Sequence, residues 1–141
     1  MGVAGMTGKV GLGLGLAYLA LSSVAFAQST PSTLQGAWLA QGSSCEEVYA
    51  SAGSRTSFKR PVDIFAPAFI VSGNSLRTPM ASCRIRSVRP AGDRHSVHLS
   101  CANAVAGNDV RVLMALMPDG SLKRYFNEQD TTGTSYQRCM R

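Results

Sequence analysis

Residues 82–101 read SCRIRSVRPAGDRHSVHLSC, and the way this stretch pairs with itself decides the fold. CRIRSV and RHSVHLSC both alternate between apolar and polar side chains, and Pro-Ala-Gly-Asp lies between them. With the turn centred on Gly92, the arms fold antiparallel and Cys83 meets Cys101, Ile85 meets Leu99, Ser87 meets Val97 and Arg89 meets His95. On the opposite face Arg84 meets Ser100, Arg86 meets His98 and Val88 meets Ser96. One face is then largely apolar and sulfur-bearing; the other is polar, with Val88 as its exception. Such period-two alternation marks a half-buried antiparallel pair. Ala91, Gly92 and Asp93 form a three-residue loop in which glycine takes a positive φ.

The same residues bear on sharper functions. His95 and His98 are three apart, which sends them to opposite faces of a strand and denies them a common metal. The same geometry works against a two-histidine acid/base site. The four arginines of the stretch have no aromatic side chain between them on which a base could stack. No metal, no cofactor, no catalytic residue and no nucleic-acid partner is expected.

Directly opposed residues of an antiparallel pair lie close enough for a disulfide, so Cys83 pairs with Cys101 and Cys45 is left with Cys139. An even cysteine count suits an exported chain. The N-terminus agrees. Lys9 precedes the apolar run VGLGLGLAYLALSSVAFA, which closes on Ala25-Phe26-Ala27, a signal-peptidase pattern with cleavage after Ala27. The apolar stretch over 10–21 is short for a bilayer and broken by glycine, so the mature protein is not expected to span a membrane. Residues 1–27 are read as a cleaved signal peptide, 28–33 as a flexible tail and 34–141 as one domain. A periplasmic or secreted location follows, and a monomer is expected.

The chain carries 14 Lys+Arg against 8 Asp+Glu, a formal charge of +6. Eight of the cations fall between Arg55 and Arg94, where only Asp63 and Asp93 oppose them. Arg84, Arg86 and His98 form the densest basic patch and are the candidate interaction surface.

Elsewhere the pattern gives short strands and tight turns. A strand is expected over 34–41. Ser44 and Glu47 at capping-box spacing, with Gly53 as a stop, suggest a short helix over 45–51. Further strands are expected over 56–59, 68–71 and 75–78, then in DVRVLMALM, SLKRYF and SYQRCM; ANAVAGND reads as a loop with room for one helical turn. Seven or eight short strands favour an all-β, mainly antiparallel up-and-down barrel with one short helix and two disulfides. Aliphatic and Met side chains, with few aromatics, argue for a well-filled interior.

Gly36-x-Trp38 on the first strand, with Arg138 on the last, resembles the calycin pattern. That resemblance implies that Trp38 packs at the closed end of the barrel with the guanidinium of Arg138 across it, flanked by Tyr136 and Met140. A cation over an indole face is favourable in its own right. The chain is also similar in part to the bacterial metalloprotease inhibitors, through Gly-x-Trp, a later apolar strand and the turn at Asp119-Gly120. In those inhibitors an N-terminal segment enters the protease cleft, and residues 28–33 match it. The whole mature part resembles small exported calycin-like proteins of proteobacteria whose function is unknown, with a C-terminal Y-x-R-C.

These readings converge on a non-enzymatic exported binding or interaction protein whose partner is an unknown protein or a small apolar ligand. A protease inhibitor working through its tail, or an envelope structural or stress protein, is the alternative. With every cysteine bridged, no thiol nucleophile remains. Glu128 and Asp130 lack the spacing of a calcium loop and read as a solvated turn.

Overall fold

The computed structural model describes residues 1–2, 8 and 29–140. The signal peptide expected over 1–27 falls, apart from residues 1–2 and 8, outside the described residues, as do residues 28 and 141. The stretch over 82–101 forms β6 (Ser82–Ala91) and β7 (Arg94–Ala102), with Cys83 opposite Cys101, Arg84 opposite Ser100 and Ile85 opposite Leu99. Beyond Ile85 a β-bulge at Arg86 moves the register by one residue. Ser87 then opposes His98, Val88 opposes Val97, Arg89 opposes Ser96, Pro90 opposes His95, and the loop shortens to Gly92-Asp93. The cause is burial. Regular pairing would put Val88 in solvent and Ser87 in the core, because a one-residue slip exchanges the faces of a strand. The bulge confines that slip to the distal arm, and Val88 joins Val97 in the interior. Gly92, with φ of 67°, is followed by Asp93 at negative φ, the signs of a type II′ turn.

Eight strands close into an up-and-down barrel. In spatial order they are β1 (Gly36–Ala40), β10 (Thr134–Met140), β9 (Leu122–Tyr125), β8 (Gly107–Leu116), β7, β6, β5 (Ser75–Arg77) and β4 (Ala68–Ser72). Every neighbouring pair is antiparallel, and β1 against β4 completes the circle. Consecutive connections therefore alternate between two ends. The β4–β5, β6–β7 and β8–β9 turns share one end with the start of β1; the β5–β6, β7–β8 and β9–β10 connections share the other.

Between β1 and β4 the chain makes an excursion that lies outside the barrel. One helical turn, α1 (Cys45–Val48), leads into a separate hairpin of β2 (Tyr49–Ala52) and β3 (Arg55–Phe58). The helix expected over 45–51 thus stops after four residues, and Tyr49–Ala52 is strand. Ser44 makes no side-chain cap. Gly53, at φ of 63°, turns the hairpin instead of ending a helix. Pairing with Arg55–Phe58, and burial of Tyr49 against Phe58 at 5.5 Å between ring centroids, outweigh the local capping signal.

Two large apolar clusters result, beside a small third one of Leu113, Ala115 and Tyr125. The inner one fills much of the barrel and includes Trp38, Phe69, Val97, Leu99 and Leu122. The outer one packs the excursion, through Tyr49, Val48 and Phe58, onto Ala37, Leu39, Ala68 and Ile70. Tyr49 is central to it: its hydroxyl donates to the carbonyl of Trp38, the carbonyl of Phe69 lies 3.1 Å away, and burial pushes the phenol pKa up. The disulfides serve one cluster each. Cys83–Cys101 crosslinks β6 to β7 with Cα atoms 4.0 Å apart, and Cys45–Cys139 ties the excursion to β10 at 5.6 Å. A second bulge, at Cys139, makes the latter possible, since Ala37 pairs with Met140 and Trp38 with Arg138. It turns both Cys139 and Met140 to the outer cluster, so Met140 does not share the face of Arg138.

Candidate functional site

The two ends of the barrel differ. At the end where β1 begins, a 3-10 turn (Ser32–Leu34) brings Leu34 into the inner cluster. The indole N–H of Trp38 donates to the Leu34 carbonyl at 3.0 Å, and the Arg138 guanidinium lies over the indole, 4.3 Å from the ring centroid. Arg138 also donates to the carbonyls of Gln35 and Thr33. The Gln35 side chain exchanges two hydrogen bonds with the backbone of Gly73, and Thr30 bonds Asn74. The chain entry is thereby stitched across the β4–β5 turn, and this end is shut.

The other half of the interior is hollow. A cavity of about 490 Å³ runs between Leu76, Leu99, Val110, Val112 and Met114, with Phe69 and Tyr136 in its wall. The well-filled interior expected from composition is therefore corrected. Leu34 and Trp38 fill the shut end, and Phe69, stacked 6.4 Å from Trp38 and edge-on to Tyr136 at 5.2 Å between centroids, carries the aromatic row into the cavity wall. The cavity volume lies inside the range of about 300–1,000 Å³ typical of small-molecule sites.

The cavity opens between the 59–67 connection and the β5–β6 connection, whose Ile64 and Met80 both line it. Ile64 and Met80 are 48 % and 59 % exposed; next to Ile64 in the chain Phe65 is 84 % exposed, and Val105 of the β7–β8 turn is 92 % exposed. Large apolar side chains gathered in water on adjacent loops mark a binding surface more often than isolated ones do. One charged side chain lines the cavity among the described residues, that of Arg124 on β9.

The residues singled out from sequence fall elsewhere. Arg84 and Arg86 are exposed on the outer wall and share a shallow hollow with Ser75, Ser82 and Ser100. His98 is exposed on that side too, but the bulge sets it opposite Ser87 rather than Arg86. His95 is half-buried opposite Pro90 and Met114, so the expected facing of Arg89 and His95 is not formed. Asp130 receives hydrogen bonds from the N–H groups of Phe126, Gly133 and Thr132, and these hold its carboxyl below the usual range. Glu128 pairs with Arg111 at 3.0 Å. The 126–133 turn thus holds Asp130 with its own backbone, and β8 supplies the partner of Glu128. Among the described residues no group of three His, Cys, Asp or Glu side chains is arranged to hold a metal ion.

Three features of the site were not singled out from sequence. The signal for Arg124 lay in its spacing of two from Leu122, which gives both the same face of β9. The rim residues Ile64 and Met80 lie in irregular connections, where no periodicity assigns a face. Tyr49 was hidden by the helical reading of its segment.

The arrangement defines a class of protein: a disulfide-stapled up-and-down β-barrel, shut at one end and open at the other onto an apolar chamber. The chain matches no protein-family model, no curated protein and no solved structure. No helix among the described residues is long and apolar enough to cross a membrane.

Proposed function

We propose that this chain is a non-enzymatic, exported binding protein of the cell envelope that holds a small apolar ligand inside its barrel. The observation that carries the reading is the one-ended cavity with aliphatic walls. Its shut end is sealed by Leu34, Trp38 and Arg138, and its open end is rimmed by exposed Ile64 and Met80. Burying an apolar ligand there removes apolar surface from water on both partners, at about 25 cal/mol per Å² before the costs of association. The one charged side chain in the cavity wall among the described residues is an arginine, a pure hydrogen-bond donor that suits holding rather than transforming a ligand.

Two formed disulfides suit an oxidising compartment. The periplasmic or secreted location, and the calycin-like kinship, remain part of this proposal. Action as a protease inhibitor through residues 28–33 is less favoured, because Thr30 and Thr33 are hydrogen-bonded into the shut end.

The test is titration of the oxidised protein with the neutral dye N-phenyl-1-naphthylamine, alongside native mass spectrometry of the protein isolated from its own envelope. Saturable fluorescence enhancement at one dye per chain, or a co-purifying small mass displaced by the dye, is expected. Unsaturable, low-affinity enhancement with a bare native mass would overturn the reading.

A further inference from the structure

We infer that the ligand is an amphipathic anion, with a single apolar tail in the barrel cavity and an anionic oxygen head group held at the mouth by Arg124. This inference rests on the cavity reading above and names its ligand class. Arg124 follows Leu122 by two residues on β9, so both point to the same side, and Leu122 is fully buried in the inner cluster. Its cross-strand partner on β8 is Met114, which is itself a cavity wall residue. The guanidinium is therefore directed to the chamber and not to the outer face.

Other arginines near this part of the barrel are engaged. Arg94 lies 3.5 Å from the ring centroid of Tyr125 and donates to the carbonyls of Asn127 and Asp130. Arg111 pairs with Glu128, and Arg138 closes the far end. Among the described residues, the Arg124 side chain makes no hydrogen bond and no ion pair, and no carboxylate lines the cavity with it. A guanidinium offers five donors in a fork suited to carboxylate or phosphate oxygens. Because Arg124 is solvent-exposed, leaving it without a partner costs little in the empty protein. An anion arriving with its tail in the chamber would meet this charge beside low-dielectric walls, where the attraction exceeds that of an ordinary surface pair. The exposed position of Arg124 also sets the orientation. The tail goes in first, and the head stays at the mouth.

The experiment compares four probes sharing one twelve-carbon tail, each below its micelle-forming concentration: dodecanoate, dodecyl phosphate, dodecanol and dodecyltrimethylammonium. Calorimetric titration of the oxidised protein is expected to show the two anions binding about tenfold tighter than the alcohol, and the cation weakest. Arg124→Gln should bring the anions down to the affinity of dodecanol and leave dodecanol unchanged, while Arg124→Lys keeps part of the gap. The ratio of dodecanoate to dodecyl phosphate assigns the head group. If the alcohol binds as tightly as the anions, or if Arg124→Gln leaves their affinity unchanged, the inference is overturned and the apolar carrier stands. If no probe binds, the carrier reading falls as well. Anion binding that survives filling of the chamber by Val110→Phe is adsorption to the outer arginines, and also overturns the inference.

Discussion

Arg138 lies across the indole of Trp38, 4.3 Å from its ring centroid, while donating to backbone carbonyls on either side of Leu34. One side chain thereby covers the aromatic base of the barrel and ties the last strand to the residues that precede the first. Arg138→Met keeps the length and removes the fork. It should lower the free energy of unfolding by about 2–4 kcal/mol, the joint loss of a partly buried cation–π contact and charge-assisted hydrogen bonds. Trp38 is the only tryptophan, so its fluorescence reports the loss directly in a urea titration. Arg138→Lys should recover less than half of it. Wild-type stability in the methionine variant would refute the closing role.

The disulfides should not be equivalent. Cys45–Cys139 spans 94 residues and Cys83–Cys101 spans 18, and chain-entropy reasoning assigns them about 4–5 and about 3 kcal/mol respectively. Replacing both cysteines of each pair by alanine and comparing urea midpoints with the oxidised parent tests that order. The Cys83/Cys101 variant should also change dye affinity, because its sulfurs stand in the cavity wall. The Cys45/Cys139 variant should not.

Tyr49 carries a pH prediction. Its phenol is held neutral in the folded protein, so its folded pKa lies above the ordinary value of 10.0. Stability from this group is complete below that value. It is lost progressively as pH climbs above it, because only the unfolded chain then gains by releasing the proton, and the loss levels off once the folded phenol ionises. Tyr49→Phe should cost about 1 kcal/mol near neutrality through the missing hydrogen bond. The gap between variant and parent should narrow above about pH 10. Parallel curves across that range would contradict the buried, neutral phenol.

Filling the chamber separates binding from folding. Val110 is half-buried on the cavity wall, so Val110→Phe places its extra ring in empty space rather than against packed neighbours. It should change stability by less than about 1 kcal/mol, below the usual cost of overpacking a tight core, and abolish saturable dye binding. A large destabilisation would mean that the chamber is not empty on that side.

How much of this was legible in the sequence varied with the range of the interaction that decides each feature. The hairpin pairing from Cys83 to Ile85 could be read from alternation alone, and both disulfides follow from it. The bulge at Arg86 left one trace, the stray Val88 on the polar face, and choosing between a tolerated exception and a register change needed the partner strand. Ser44, Glu47 and Gly53 imitated a helix because capping signals are local, whereas the β2–β3 pairing that overrode them is held by burial against a distant barrel wall. The chamber was least legible. Its volume depends on where eight strands place their side chains at once, and neither composition nor periodicity measures space left over. Arg124 became meaningful only when that space was seen.

The wall of the barrel is not uniform in thickness. Over β1 and β4 successive residues are buried on both faces, because the excursion covers the outside, while β6 alternates between buried and exposed along most of its length. Backbone amides in the double-layered quarter should be the last to exchange with deuterium, and those of β5 and the proximal half of β6 should exchange sooner. Any breathing that admits a ligand therefore belongs to the single-layered side beside Met80. The latched quarter is the stiff frame against which that side flexes.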